Sequence, residues 1–380
     1  MFLPAWVEVD LEVLRGNFRR IFQDKPRGVA VLSVVKDRGY GHGAIAVARE
    51  AVRAGVCYLA VATVGEALEL RDAGLEAPIL VFGERNEQEI DTCLRHRLTV
   101  FVNDLRTLGE VRKAVRRIGT RAKVHVEVDT GLSRYGVRWT DALEVIREVA
   151  SCPEVELEGV MSHFAQSDEL DKSFALEQLR RFQSVLDAMG REGIRVRYRH
   201  MCNSGGFLDL PQAHFDLVRL GILPLGVYPS QVCRRIEGIR PVMSVRARIA
   251  ALRDLEPGDV VGYGMHYRAA SHRRIAIVPI GYADGFPRVR NRGHMLVRGK
   301  KAPIVGGNAM DATMIDVTEI EGVSRWDVVT ILGRDGEEEI TAHEIASWRG
   351  TVSYDILAGW GPRLARVYLD AQGPDTQVLC

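Results

Sequence analysis

A chain of 380 residues with 46% hydrophobic side chains is long enough for two domains, or for one barrel with an attachment, and apolar enough to bury a sizeable core. Its 51 Lys and Arg against 50 Asp and Glu leave a formal net charge of +1, which excludes a global field that recruits nucleic acid, membrane surfaces or acidic substrates. The 6 cysteines form no CxxC pair and argue against a disulfide framework. No apolar run approaches the ~18 residues of a spanning helix, and the N-terminus MFLPAWVEVD lacks the basic, apolar and small-residue regions of a leader, so a soluble cytoplasmic protein is expected.

Short apolar, β-branched runs recur through the first part of the chain: Val29–Val35, Cys57–Thr63, Pro78–Gly83, Leu98–Asn103, Lys123–Asp129, Val155–His163, Val196–Cys202 and Phe215–Gly221. Between most of them lie helical patterns, such as AIAVAREAVRAG and EQEIDTCLRHR, with apolar residues three and four apart. Alternating strand and helix implies a parallel sheet. Eight candidates point to closure into a (β/α)8 barrel, with a doubly wound open sheet as the second choice. The interval between the seventh and eighth runs is too short for a full helix.

After about residue 238 the texture changes. MSVRARIAALRDL, DVVGYG, RRIAIVPIGY, HMLVRG, ATMIDVT and DVVTILG read as strands between Gly, Pro and Asp turns, and a helical AHEIASW comes near the end. The expected fold class is therefore α/β: a (β/α)8 barrel followed by a mainly β domain, with the boundary near Glu237–Arg240.

Functional groups of such a barrel sit at the C-terminal ends of its strands. Here those ends carry Lys36; Asp129 and, through TGLS, Arg134; His163; His200, Asn203 and Ser204; and Arg219. Each alone has an ordinary reading as a core histidine or a surface ion pair. Together at one rim they describe a site. Lys36 is followed by Gly39, Gly41 and Gly43, and Gly41-His42-Gly43-Ala44-Ile45-Ala46 matches the dinucleotide fingerprint GxGxxA, with Glu66 near the place of a ribose-binding acid. Against a nucleotide site, Lys36 and four further residues separate the strand from Gly41. A lysine desolvated at a barrel mouth is a nucleophilic amine, suited to a Schiff base with a carbonyl such as pyridoxal phosphate. Ser204 and the Gly221–Ile222 turn could hold a phosphate.

At this point the residues resemble the alanine racemase family. VVKDRGYGHG is similar to its cofactor-attachment motif, and VDTGLSRYGV, GVMSHFAQSDE, NSGGFLDLP, DLVRLGI, VGYGMHY, PIGYADGF, GGNAMD and TVSYDIL resemble its successive blocks in order, over essentially the whole chain. The resemblance implies a pyridoxal-phosphate isomerase working as a homodimer. It implies a strand within residues 1–10 that joins the β-domain, a barrel over 11–238 and a β-domain over 239–380. It makes Lys36 the Schiff-base lysine and assigns the cofactor to Lys36, Tyr40, His163, Asn203, Ser204, Arg219, Gly221, Ile222 and Tyr354, with Arg219 at the pyridine nitrogen. Arg134 would contact cofactor and substrate carboxylate. His163 would lie beside the catalytic Tyr263, which enters the opposite subunit's site with Tyr282, Met310 and Asp311. Lys36 and Tyr263 would serve as bases on opposite faces of the substrate Cα, with Arg134 or His163 helping the tyrosine. No metal is implied.

The chain departs from the family at several positions. Glu127 stands where a lysine, carbamylated in some members, is common, and is expected to orient Arg134 directly. Gly307 replaces an entryway arginine, Leu225 a tyrosine, and Asp37-Arg38 an Ala-Asp or Ala-Asn pair. A retained Tyr354 favours a small side chain, so alanine is the first expected substrate and serine or another small amino acid the second. Three other classes compete. A pyridoxal-phosphate barrel without racemase activity would lack the second domain, a decarboxylase would place an acid at Arg219, and an oxidoreductase would use GxGxxA.

Overall fold

The computed structural model describes residues 2–370 and the strand Gln377–Leu379. Met1, residues 371–376 and Cys380, which fall in the first and last of the three expected units, lie outside the described residues.

Strand β1 (Ala5–Asp10) does not enter the barrel. It pairs antiparallel with Met243–Arg248, Val7 opposite Val245, and parallel with Ala365–Leu369, Val7 opposite Arg366. Its last residue, Asp10, accepts a hydrogen bond from the Val13 N–H and so caps helix α1 (Leu11–Asp24). The barrel follows. Its strands are β2 (Ala30–Val34), β3 (Tyr58–Val61), β4 (Ile79–Val81), β5 (Val100–Phe101), β6 (Ala122–Asp129), β8 (Val155–Met161), β9 (Tyr198–His200) and β10 (Leu217–Leu220), with a two-residue β7 (Val137–Arg138) beside the end of β6. All pair in parallel, in the order β10-β2-β3-β4 and β5-β6-β8-β9. A Leu80–Thr99 bridge joins the two arcs on one side. On the other, Arg219 N–H donates to Cys202 O at 3.0 Å and Asp216 N–H to Arg199 O at 3.1 Å. The barrel is closed, and all eight expected runs contain its strands.

These strands read as unbroken apolar runs because both of their faces are covered. Leu32, Val34, Tyr58, Ala60, Phe101 and Met161 fill the interior, and a larger core lies between the strands and the helices. The short interval before β10 holds a six-residue helix, Ser204–Asp209, capped by Asn203.

The C-terminal region is a β-sheet around β1 together with a three-stranded sheet, Ala251–Leu255, Arg273–Val278 and Thr313–Asp316. A small hairpin, Val260–Val261 against Tyr267–Arg268, carries Tyr263 at its turn. Buried Arg366 ties the two regions together: its Nε–H donates to Gly41 O at 3.0 Å, and its other nitrogens donate to Trp360, Gly361 and Leu364 carbonyls at 2.7 Å each. No helix among the described residues is long and apolar enough to cross a membrane.

Candidate active site

The chain leaves β2 through Val35 and turns at once. Asp37, Arg38, Gly39, Tyr40 and Gly41 all have positive φ, between 51° and 79°. A left-handed turn costs each non-glycine residue on the order of 1–2 kcal/mol, so something must hold it. Gly39 N–H donates to Val35 O, Gly41 N–H to Asp37 O, and Gly43 N–H to Arg38 O at 2.7–3.0 Å. Glu66 supplies the decisive anchor. One of its oxygens accepts the Asp37 N–H at 2.5 Å, and the other accepts the Ala62 and Thr63 N–H groups at 2.8 and 3.1 Å. Glu66 therefore closes a capping box on its own helix and pins the turn. It is not a ribose ligand.

The glycines are explained by packing rather than by a nucleotide. A Cβ on Gly41 would lie 2.1 Å from Leu357 O, and one on Gly43 would lie 1.9 Å from Tyr368 Oη. His42 between them is fully buried and donates Nδ1–H to Tyr40 O. Arg38 reaches across to Ala358 O at 3.2 Å, so this unusual residue joins the turn to the second domain.

The turn leaves the Lys36 side chain half-buried, and no ion pair or hydrogen bond reaches its amine among the described residues. Burial lowers its pKa first, and the Arg134 charge lowers it further against the opposing pull of Glu66 and Asp37. Arg134 sits on an exposed loop folded by Asp129, whose carboxylate accepts the Gly131 and Ser133 N–H groups.

Arg219 is 2% exposed. Its guanidinium donates to His163 Nδ1 at 2.8 Å, His200 Nδ1 at 3.1 Å, Ser162 O at 2.9 Å and Met201 O at 3.1 Å. Burial brings its pKa down to about 10, so it stays charged at neutral pH. Its Nε–H has no protein acceptor among the described residues. His163 is held well below the ordinary imidazole range, first by burial and then by the Arg219, Arg134 and Lys36 charges. It is therefore neutral, with its remaining proton on Nε2.

Beside this cluster, the Tyr40 hydroxyl lies where a Gly221 Cβ would be 2.3 Å away, and the Tyr40 and Tyr354 rings are 6.2 Å apart. Burial pushes both phenols up, and neither hydroxyl has a partner among the described residues. Ser204 Oγ accepts the Leu223 N–H, next to Ile222, at 3.4 Å. Asn203 accepts from Ser167 Oγ and Gly206 N–H at 2.8 and 2.9 Å and shapes the loop. Pyridoxal phosphate fits this donor set: an unpaired amine, an unclaimed guanidinium N–H, and unpartnered hydroxyls beside a glycine.

The remaining candidates lie elsewhere. Tyr263 is 75% exposed, Met310 56% and Tyr282 42%, with Asp311 exposed beside them. Their loops adjoin: Tyr282 N–H donates to Ala309 O at 3.3 Å and Ala283 N–H to Met310 O at 2.8 Å. No contact links Tyr263 to the barrel mouth of its own chain among the described residues.

One expectation needs correction. Glu127 does not touch Arg134: no hydrogen bond or ion pair joins them among the described residues. Glu127 is buried, which raises its pKa, while the Arg219 and then the Arg134 charge oppose that rise from a distance. Leu225, where the family commonly has a tyrosine, is 1% exposed and packs in the core at the turn Leu223–Leu225. Gln178 was not picked out from the sequence. It is fully buried, donates to His163 O at 3.0 Å and accepts the Ala165 N–H at 2.8 Å. A glutamine on the apolar face of the helix Ser173–Arg191 was the available signal.

Fold and site together define a two-domain barrel enzyme centred on a strand-end lysine. Residues 9–229 match the alanine racemase N-terminal domain and residues 242–368 the alanine racemase C-terminal domain. "Alanine racemase 2" of Caldanaerobacter subterraneus subsp. tengcongensis is 41% identical over 368 residues, 96% of this chain and 95% of that protein. The alanine racemase structure from Clostridium difficile 630 has a TM-score of 0.94 at 30% identity, covering 100% of this chain and 98% of that one. A histidine racemase from Leuconostoc mesenteroides subsp. sake has a TM-score of 0.88 at 27% identity, covering 97% and 98%. The chain belongs to the alanine racemase family, whose members are pyridoxal-phosphate-dependent isomerases.

Proposed function

We propose that this chain interconverts L- and D-alanine, with pyridoxal phosphate on Lys36 and each site shared between two subunits. The unpaired, half-buried Lys36 amine, lowered in pKa and adjoining unpartnered donors, carries the reading. When bound, the cofactor makes the Cα–H of a covalently held amino acid acidic. Tyr40, Ser204, Gly221, Ile222 and Tyr354 would hold its phosphate, and Asn203 and His163 would complete the cofactor site. Arg219, whose Nε–H has no protein acceptor among the described residues, would donate to the ring nitrogen and would not release a proton.

Arg134 holds the substrate carboxylate, and its charge also keeps the Lys36 amine available as a neutral base. In the L-to-D direction, a base on one face takes the Cα proton and an acid on the other returns one. Lys36 serves one face and Tyr263 of the partner subunit the other, and the roles exchange in the reverse direction. Neutral His163 presents Nε2–H towards that tyrosine. The exposed group of Tyr263, Met265, Tyr282 and Met310 supports docking on a second copy's barrel mouth, because an apolar patch of this kind marks an interaction surface. The five cysteines among the described residues are all unpaired, which supports a reducing, cytoplasmic location.

The choice of alanine rests on the family and on Tyr354 beside Tyr40. A broader substrate range is the second reading, favoured by the same fold in a histidine racemase. Incubation of the protein and pyridoxal phosphate with single L-amino acids, followed by chiral chromatography, tests both. D-alanine should accumulate fastest and D-serine more slowly. A visible cofactor band without any D-enantiomer would reject racemisation.

A further inference from the structure

Arg219 does not end its contacts at the rim. His200 Nε2 lies 2.9 Å from His125 Nδ1, and both rings are fully buried. His125 Nε2 in turn stands 3.7 Å from Glu158 Oε2, beyond hydrogen-bond length, and makes no other hydrogen bond among the described residues. Glu158 is 3% exposed and accepts from Tyr58 Oη at 2.6 Å and Lys123 Nζ at 3.0 Å. The row runs from the barrel mouth through the interior to Lys123, which is half-exposed.

Its direction is fixed by chemistry. A guanidinium can only donate, so His200 Nδ1 must accept. Burial, and then the neighbouring Arg219 charge, keeps His200 neutral. Its one ring proton is then on Nε2 and is donated to His125 Nδ1. Burial also depresses His125, against the pull of Glu158, so its one proton lies on Nε2, towards the carboxylate. Glu158 stays ionised at about 2, held down by His125, Tyr58 and Lys123 against its own burial. The backbone makes room for this row. A Cβ on Gly159 would lie 2.6 Å from His125 Cε1, and the β6–β8 register shifts at Val124/His125.

We propose that Glu158 and His125 are positioning residues that act through His200 to fix the orientation of Arg219 at the site. The Arg219 donor sets one tautomer in each histidine, and the buried carboxylate at the far end of the row stabilises that same tautomer, so His200 Nδ1 stays an acceptor. With that acceptor in place beside His163 Nδ1, Ser162 O and Met201 O, the Arg219 guanidinium is held in one orientation and its Nε–H is left unclaimed. The role at the cofactor rests on the function proposed above, but the tautomer row does not.

The full chain labelled with 15N-histidine, with and without added pyridoxal phosphate, tests this. Ring-nitrogen NMR should show His200 and His125 each with a protonated Nε2 and a bare Nδ1. Glu158→Gln should shift the ring-nitrogen signals of His125 and His200 and move the cofactor absorption band. It should also lower kcat about 10-fold, the scale seen for outer partners of ligating histidines, with KM nearly constant, and Glu158→Asp should restore part of each. If Glu158→Gln does not fold, His125→Gln is read in the same way at His200. Unchanged His200 signals would overturn the proposal, whether or not kcat falls, and so would the opposite tautomer in the unaltered protein. An absent cofactor band in the unaltered protein, with the tautomer row intact, would reject the proposed function and leave the row standing.

Discussion

At the barrel mouth the charged side chains are held from several directions. Arg219, 2% exposed, donates to two histidines and two carbonyls, and Glu66 and Arg366 clamp the turn that carries Lys36. On the β-domain rim the matching candidates are bare: Tyr263 is 75% exposed and Met265 66%. One region is preorganised within a single chain, as a site that must hold a cofactor without rearrangement requires. The other presents side chains with nothing of their own to act on. The difference teaches that the candidate residues lie on two separate surfaces of the chain, which is what the proposed sharing of each site between two copies requires.

The largest effect should come from Lys36→Ala, which would remove both the proposed attachment and one proposed base. Racemisation should fall by at least about 10³-fold, with the visible cofactor band lost in a spectrophotometric titration. Tyr263→Phe should lower kcat by roughly 10²–10⁴-fold while keeping that band, because the tyrosine lies outside the cradle. Mixing the two inactive proteins under subunit exchange should recover activity, and a mixture that stays inactive would break the two-surface picture.

Next in size is Gly43→Ala, where a Cβ would meet Tyr368 Oη at φ +99°. A loss of about 3 kcal/mol is expected from overpacking and backbone strain, measured by urea unfolding. Tyr368→Phe should return part of it, which a nucleotide-binding glycine would not show. A pH series sharpens the contrast between buried and exposed groups. Glu158 is lowered from 4.5 to about 2 in the folded chain, so its stabilisation is fully present above about 4.5 and is lost as pH falls towards 2. The stability advantage of the unaltered protein over Glu158→Gln should shrink only in that window. Smallest is Glu127→Gln, which should change KM for alanine by less than about 3-fold, since Glu127 and Arg134 interact without contact.

Much of the fold was legible because local physics wrote it. Barrel strands such as Tyr58–Val61 are buried at every position and so appear as continuous apolar runs. The strand-end rule then placed Lys36, His163 and Arg219 at one rim. The site was less legible where one residue type serves several ends. Glu66 had the position of a ribose ligand and is a helix cap. Glu127 had the charge to orient Arg134 and lacks the contact. Tyr263 sits in an ordinary hairpin turn, and only the family resemblance singled it out.

By itself, then, the sequence determined the strand and helix periods, the change of texture near residue 238 and the residue types at the barrel mouth. Each of these depends on neighbours a few positions apart. Only the tertiary structure decided that the Lys36 turn is left-handed, that Arg219 meets a histidine 56 positions away, and that two buried imidazoles align between Arg219 and Glu158. Periodicity says which face of an element is buried. Which partner waits there is set by packing between distant segments, and no local pattern carries it.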